Sequence, residues 1–312
     1  MNEIFWIRFL DSQSDNRKSK IKNPKLVVIV GALLLPLCSP AQAQQTKKLP
    51  RIGYLSASTR AERLPALVAE LVRLDVDLIL AGGSEAVRPA KEATKTMPIV
   101  VAHFEDPIGE GFVASLARPG GNITGLSRMS SDLAGKRLEL LKESVPVIRR
   151  VAMFINPANA TNALVFKEAD AAAAGLGLQL QRLEVRRPDE LEAAFATAIK
   201  FRTEALTPSV DRIFDTQRKR IMEFAVKHRL PTMFHTSRAV EEGGLMSYAP
   251  NILDLFRRSA TYVDKILKGT KPADLPVEQA MKFEFFINLE TAKQIGVTIP
   301  QSVLFRADKV IR

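Results

Sequence analysis

One cysteine, Cys38, stands among 312 residues, so a disulfide within the chain and a cysteine-built metal site are both excluded. Histidine is nearly as scarce. His103, His228 and His235 are the three, and none stands in an HExxH arrangement, which argues against a metal centre. Neither a complete GxGxxG fingerprint nor a Walker sequence occurs, so no nucleotide cofactor is indicated and no cofactor of any kind is expected. The longest apolar run, Leu26 to Leu37, falls short of the roughly 20 residues that a permanent membrane-spanning helix needs. A basic face interleaved with aromatics is also missing, as is a helix-turn-helix. The formal net charge of +11 therefore reads as a solvated basic surface, with local clusters such as Arg218-Lys219-Arg220, and no nucleic-acid partner is expected.

What is present begins with an address. Lys18, Lys20, Lys22 and Lys25 precede the apolar run, and Ala41-Gln42-Ala43 offers a small-x-small cleavage site. Residues 1–43 read as a signal peptide of an exported, periplasmic protein whose mature chain begins at Gln44. Cys38 suggests a lipid anchor as the alternative, but Leu37 stands where a lipoprotein signal calls for a small residue. The leader holds six Lys/Arg and three Asp/Glu, which leaves 39 basic against 31 acidic residues and a net +8.

Beyond the leader, strands alternate with helices, which implies α/β architecture with parallel sheets covered on both faces. Strand Arg51 to Leu55 leads to a helix from Glu62 to Leu74, whose Leu64, Leu67, Val68, Leu71 and Val72 share one face. Strand Val76 to Ala81 turns through Gly82-Gly83-Ser84 into a helix ending near Lys95. Strand Ile99 to Ala102 leads to Asp106-Pro107, an N-cap and first-turn proline that predict a helix closing at Arg118-Pro119-Gly120-Gly121. Strand Asn122 to Leu126 and helix Ser130 to Ser144 follow. A second α/β series runs through strands at 151–155, 178–185, 205–210, 232–234, 245–248 and 283–287, with helices at 161–174, 189–200, 216–228, 252–267 and 289–295. Pro208 inside the third of these strands argues for an edge or a bulge.

Five segments carry a resemblance: Asp106-Pro107-Ile108-Gly109-Glu110-Gly111, Arg118 to Gly125, Gly243 to Asn251, Tyr262 to Gln279 and Phe283 to Lys293. Together they resemble the substrate-binding components of bacterial ABC importers of the tryptophan/tyrosine type, over nearly all of Arg51 to Arg312. The resemblance implies the periplasmic binding protein type 1 fold, with two Rossmann-like lobes, each a doubly wound parallel sheet, joined by a three-strand hinge. The first lobe would comprise residues 51–128 plus 251–277, and the second 129–248 plus 281–312. The crossings would fall near Ser127–Ser130, Tyr248–Asn251 and Val277–Ala280, with helix Ile252 to Leu267 packing back on the first lobe. The family normally places a further helix and strand between the first strand and the helix at Glu62. Only Ser56 to Ala61 stand there, so the first lobe lacks one helix and one strand and its first strand becomes an open edge.

Ligands of open α/β sheets sit beyond the carboxyl ends of the strands. That places Ser56, Gly83, Ser84, Phe104 and Asp106 of the first lobe, and Asn156, Asp211 and Tyr248 of the second, as candidate ligand-binding residues. Asp106 reads as a helix cap or as a carboxylate for a ligand ammonium. Asn156 can cap or hydrogen-bond a ligand, and Asp211 follows a strand of the second lobe, where the resemblance aligns it with an Asp-Pro pair common in the family, although Arg212 replaces the proline. Tyr54, Phe104, Phe154 and Tyr248 could sandwich an aromatic ring or belong to the core. His103 and His235 each follow a strand and so border the same region.

The resemblance implies an exported solute-binding protein, not an enzyme, that closes on a small molecule, such as an amino acid or aromatic amino acid, and hands it to a membrane permease. An alternative stays open. Gly82-Gly83-Ser84-Glu85-Ala86 imitates a nucleophile elbow, and Asp211 and His235 complete the chain order of a serine hydrolase.

Overall fold

The computed structural model describes residues 49–56 and 61–312. The expected leader, its expected cleavage site and Cys38 lie outside the described residues. No helix among the described residues is long and apolar enough to cross a membrane.

The first sheet has strand order β1-β2-β3-β4-β10, all parallel: β1 (Ile52–Leu55), β2 (Leu78–Ala81), β3 (Ile99–Phe104), β4 (Ile123–Ser127) and β10 (Glu278–Gln279). Helices α1 (Leu64–Arg73) and α2 (Ser84–Ala93) cover one face, where Leu55, Leu71, Val87, Val101 and Phe104 form a core. Helix α8 (Ile252–Leu267) covers the other, burying Ile52, Leu78, Val100 and Leu126 against Leu255, Tyr262 and Ile266. Val100 faces one core while Ile99 and Val101 face the other, which is the two-sided burial of a continuous apolar strand. The open edge is where the sequence leads one to expect it: β1 pairs with β2 alone among the described strands.

The expected helix after Asp106 does not form. Residues 107–111 make turns instead, with Phe112 N–H donating to the Pro107 carbonyl at 2.9 Å. Gly111 adopts φ +69°, a left-handed conformation that ends any helix there. Gly125, at φ +149°, is required for a different reason. A Cβ on it would lie 2.1 Å from the Val101 carbonyl oxygen, so β3 and β4 meet backbone to backbone.

The second lobe holds β6-β5-β7 and β12-β11-β9-β8, linked by a parallel bridge between Leu206 and Thr232. Its strands are β5 (Arg150–Ile155), β6 (Gln179–Glu184), β7 (Ala205–Pro208), β8 (Met233–Phe234), β9 (Met246–Pro250), β11 (Phe283–Asn288) and β12 (Lys309–Ile311). Pro208 is the last residue of β7, which lies between β5 and that bridge and is no edge, so the missing N–H costs little at the strand's end. The helices are α3 (Asp132–Ser144), α4 (Ala160–Gly175), α5 (Leu191–Lys200), α6 (Arg212–Lys227), α7 (Ser237–Glu241), α9 (Leu289–Ile295) and α10 (Gln301–Leu304). Val151, Met153 and Ile155 of β5 pack with α3, α4 and α9; Ala152 and Phe154 pack with α5 and α6.

The chain passes between the sheets three times, after β4, after β9 and after β10. Ala280 N–H donates to the Ser127 carbonyl at 2.9 Å and Asn251 N–H to the Lys282 carbonyl at 2.9 Å, so the crossings are tied together. Buried Arg137 of α3 adds to this tie, donating through Nε to the Tyr248 carbonyl at 2.9 Å.

Candidate functional site

At the carboxyl end of β2, Gly82 and Gly83 turn the chain into α2, whose first residue is Ser84. Ser84 Oγ accepts from Glu105 N–H at 2.9 Å and donates to Glu110 Oε2 at 2.7 Å. Glu110 reaches this position because the turn folds it back: Asp106 Oδ1 accepts from Gly109 N–H at 2.9 Å, and Glu110 N–H returns to the Asp106 carbonyl at 3.0 Å. Asp106 therefore caps a turn where a helix was expected. The second oxygen of Glu110 accepts from Thr161 Oγ1 at 3.2 Å, and Thr161 lies in the first turn of α4, in the other lobe. Burial pushes the Glu110 carboxyl up to about 7, against the opposing effect of the Ser84 hydrogen bond and with help from the nearby charge of Glu105.

A second contact joins the lobes beside it. Arg212 Nη1 stands 3.4 Å from Glu85 Oε2, and burial raises the Glu85 carboxyl although Arg212 opposes the shift. Deeper toward the hinge, Arg128 pairs with Glu105 at 3.1 Å and donates to the His235 carbonyl at 3.3 Å. Ser130 Oγ donates to the other Glu105 oxygen at 2.5 Å. Burial alone would raise the Glu105 carboxyl, but Arg128, His103 and Ser130 together hold it below its ordinary range. His103 is buried and held down to about 4, first by burial and then by the charge of Arg128. His235 Nε2 lies 3.0 Å from Asp215 Oδ1.

The candidates named from sequence fall into three groups. Gly83, Ser84, Asp106 and Ser56 gather at the carboxyl ends of β1, β2 and β3, as expected of their positions. Asn156 and Asp211 meet in the second lobe. Asp211 Oδ1 caps α6 through Ile213 N–H at 2.9 Å, while Oδ2 accepts from the side-chain amides of Asn156 and Asn159, each at 3.0 Å. The aromatics stand apart from both. Phe104 is wholly buried in the core against Phe112, with ring centroids 6.1 Å apart, Phe154 is likewise core, and Tyr248 stacks on Phe283 at 5.8 Å beside the crossings. Tyr54 instead joins Phe256 of α8, which also touches His103.

The hydrolase geometry is not assembled. Ser84 bonds Glu105 and Glu110, His235 bonds Asp215, and the carboxylate of Asp211 is spent on two asparagines and a helix cap. Sequence reasoning missed Glu110, Thr161, Glu85 and Arg212. Thr161 was within reach, since Asn159 two residues earlier is a helix-capping signal. Glu110 carried none, because it reads as one more polar residue of the helix expected after Asp106.

Residues 41–311 match the family described as ABC transporter substrate binding protein. The chain belongs to this family. The solved domain from Streptococcus pneumonia in complex with L-Trp is similar to this substrate-binding protein at 27% identity, with a TM-score of 0.74 over 80% of this chain and 86% of that one. A conserved domain protein from Vibrio cholerae gives 26% identity and a TM-score of 0.76, covering 82% and 86%. A tyrosine-binding protein of Clostridioides difficile is 22% identical over 297 residues, 92% of this chain and 85% of its own length. The two-lobed periplasmic binding protein fold is thus shared, and the substrate-binding protein places Ser84 of one lobe and Thr161 of the other on the two sides of a single carboxyl group.

Proposed function

We propose that this substrate-binding protein is exported, closes its two lobes on an aromatic amino acid, and delivers it to the permease of an ABC importer without making or breaking a bond. The lobes are read as residues 51–128 with 251–277 and 129–248 with 281–312. The observation that carries the reading is the pair of hydroxyls, Ser84 and Thr161, that converge on one carboxyl group from opposite lobes. A ligand contacted from both sides favours the closed arrangement, because its full set of contacts exists only there. The polar ends suit an α-carboxylate and α-ammonium: hydroxyls and the amino end of α2 for the one, the carboxylate of Asp106 for the other. The similarity to a relative solved with L-Trp and to a tyrosine-binding protein supports the choice of ligand class.

The chain's one tryptophan, Trp6, lies in the leader, so bound L-tryptophan fluoresces against no tryptophan of the mature protein. Titration with L-tryptophan and with L-tyrosine should give saturable binding of one molecule, and D-arabinose none. Ser84→Ala should weaken the binding by no more than about 1–2 kcal/mol, the scale of one hydrogen bond. Absence of binding to both amino acids would refute the ligand class. Covalent labelling of Ser84 by a fluorophosphonate, with loss of ester hydrolysis in Ser84→Ala, would refute the transport reading itself.

A further inference from the structure

Glu110 is the residue that the transport reading leaves without a task. Its carboxyl group is held by one hydroxyl from each lobe, Ser84 at 2.7 Å and Thr161 at 3.2 Å. The turn that carries it also lies against the second lobe, since a Cβ on Gly109 would come within 3.2 Å of Leu164 Cδ1 on α4. A carboxyl group accepting from two hydroxyls across the cleft has the chemistry of the α-carboxylate of an amino acid. Here that chemistry is supplied by the protein's own chain.

We propose that Glu110 is a built-in competitor for the interlobe site, bridging Ser84 and Thr161 when the site is empty and leaving that bridge when a ligand carboxylate takes its place. The identity of the displaced group rests on the amino-acid reading above; the bridge does not. The bridge lowers the free energy of the closed, empty form, because the Thr161 hydrogen bond exists only while the lobes touch. It also reduces apparent affinity, because a ligand must replace two hydrogen bonds already made. Charged neighbours surround the group. Arg88, Lys91 and Glu92 of α2 and Lys95 just beyond it line a cavity of about 240 Å³ with it, and Glu105 adds a like charge from the end of β3. Displaced Glu110 therefore has cations of α2 to turn toward, and its carboxyl need not enter bulk water alone.

Two variants test this in the mature protein, each checked for folding by its thermal melt. Glu110→Ala removes the bridge, while Thr161→Val removes only its cross-lobe half and leaves Ser84 with Glu110. Small-angle scattering without ligand should show a larger radius of gyration in both variants than in the parent. Glu110→Ala should also bind L-tryptophan about fivefold more tightly, the range expected for restoring hydroxyls that the protein had occupied. An unchanged radius of gyration in both variants overturns the bridge. Affinity that is unchanged or weaker in Glu110→Ala overturns the competition. If neither parent nor variant binds L-tryptophan or L-tyrosine yet both variants expand, the ligand assignment and the competition with it fail together, and only the bridge stands.

Discussion

The outer strands of the two lobes face the same hazard and meet it differently. In the first lobe β1 pairs with β2 alone among the described strands, and its four residues, Ile52-Gly53-Tyr54-Leu55, include no charge. In the second lobe β6 is one of the outer strands, and it carries Arg182 and Glu184, paired at 3.2 Å, with Arg186 reaching Glu184 at 2.7 Å. Charged side chains on an edge make edge-to-edge pairing costly, because a second strand would have to desolvate them. β6 has that protection, whereas β1 relies on being short. The difference lies in the strands themselves: β1 has the composition of an interior strand yet stands at a border.

The comparison breaks most severely if the first sheet is disrupted from within. Gly125→Ala would push a methyl group into the Val101 carbonyl at a backbone conformation that side chains rarely adopt. A loss of at least about 3 kcal/mol is expected, a large share of the stability of a lobe. Calorimetry should then resolve two transitions, the earlier belonging to the first lobe. A single transition at the parent temperature would show that the lobes do not differ in this way.

A middle-sized effect separates the two buried imidazoles. His235 has Asp215 as a partner, whereas His103 is held near 4 by burial and by Arg128. An unfolded histidine titrates near 6.5, so between about 6.5 and 4 the unfolded chain binds the extra proton and stability falls as pH falls. His103→Gln removes that group, and the melting temperature of the variant should drop less steeply from pH 7 to pH 4.5. Equal slopes would assign the acid sensitivity to other residues.

The smallest effect concerns the border charges. Arg182→Thr combined with Glu184→Thr should change stability by no more than about 0.5 kcal/mol, as exposed pairs do. Self-association at high concentration should nonetheless rise, because the second lobe would now carry an unguarded edge like the first. Light scattering that shows no rise would mean that these charges do not protect β6.

Much of the fold was legible because its signals are local. The starts of α8 and α9 agree with Asn251 and Asn288, whose side chains accept from Asp254 N–H at 2.7 Å and Thr291 N–H at 3.0 Å. The helix expected after Asp106 failed for a reason also present in the sequence, since Gly109 and Gly111 outweighed the capping signal and the chain took a left-handed turn. α6 begins at Arg212 and not Thr216 because Asp211, read as a ligand residue, is its cap. α7, α10 and β12 went unread, being three to five residues long and too short for any periodicity to appear.

The order of strands and helices, the two-sided burial of their apolar runs and the placement of loops at the strand ends were set by the sequence alone, because each depends on residues a few positions apart. The meeting of Glu110 with Thr161, of Glu85 with Arg212 and of Arg128 with the His235 carbonyl was decided only in the tertiary structure. These partners lie 51, 127 and 107 residues apart and on opposite sides of the cleft. What brings them together is the angle at which three tied crossings hold the lobes, and no local propensity encodes that angle.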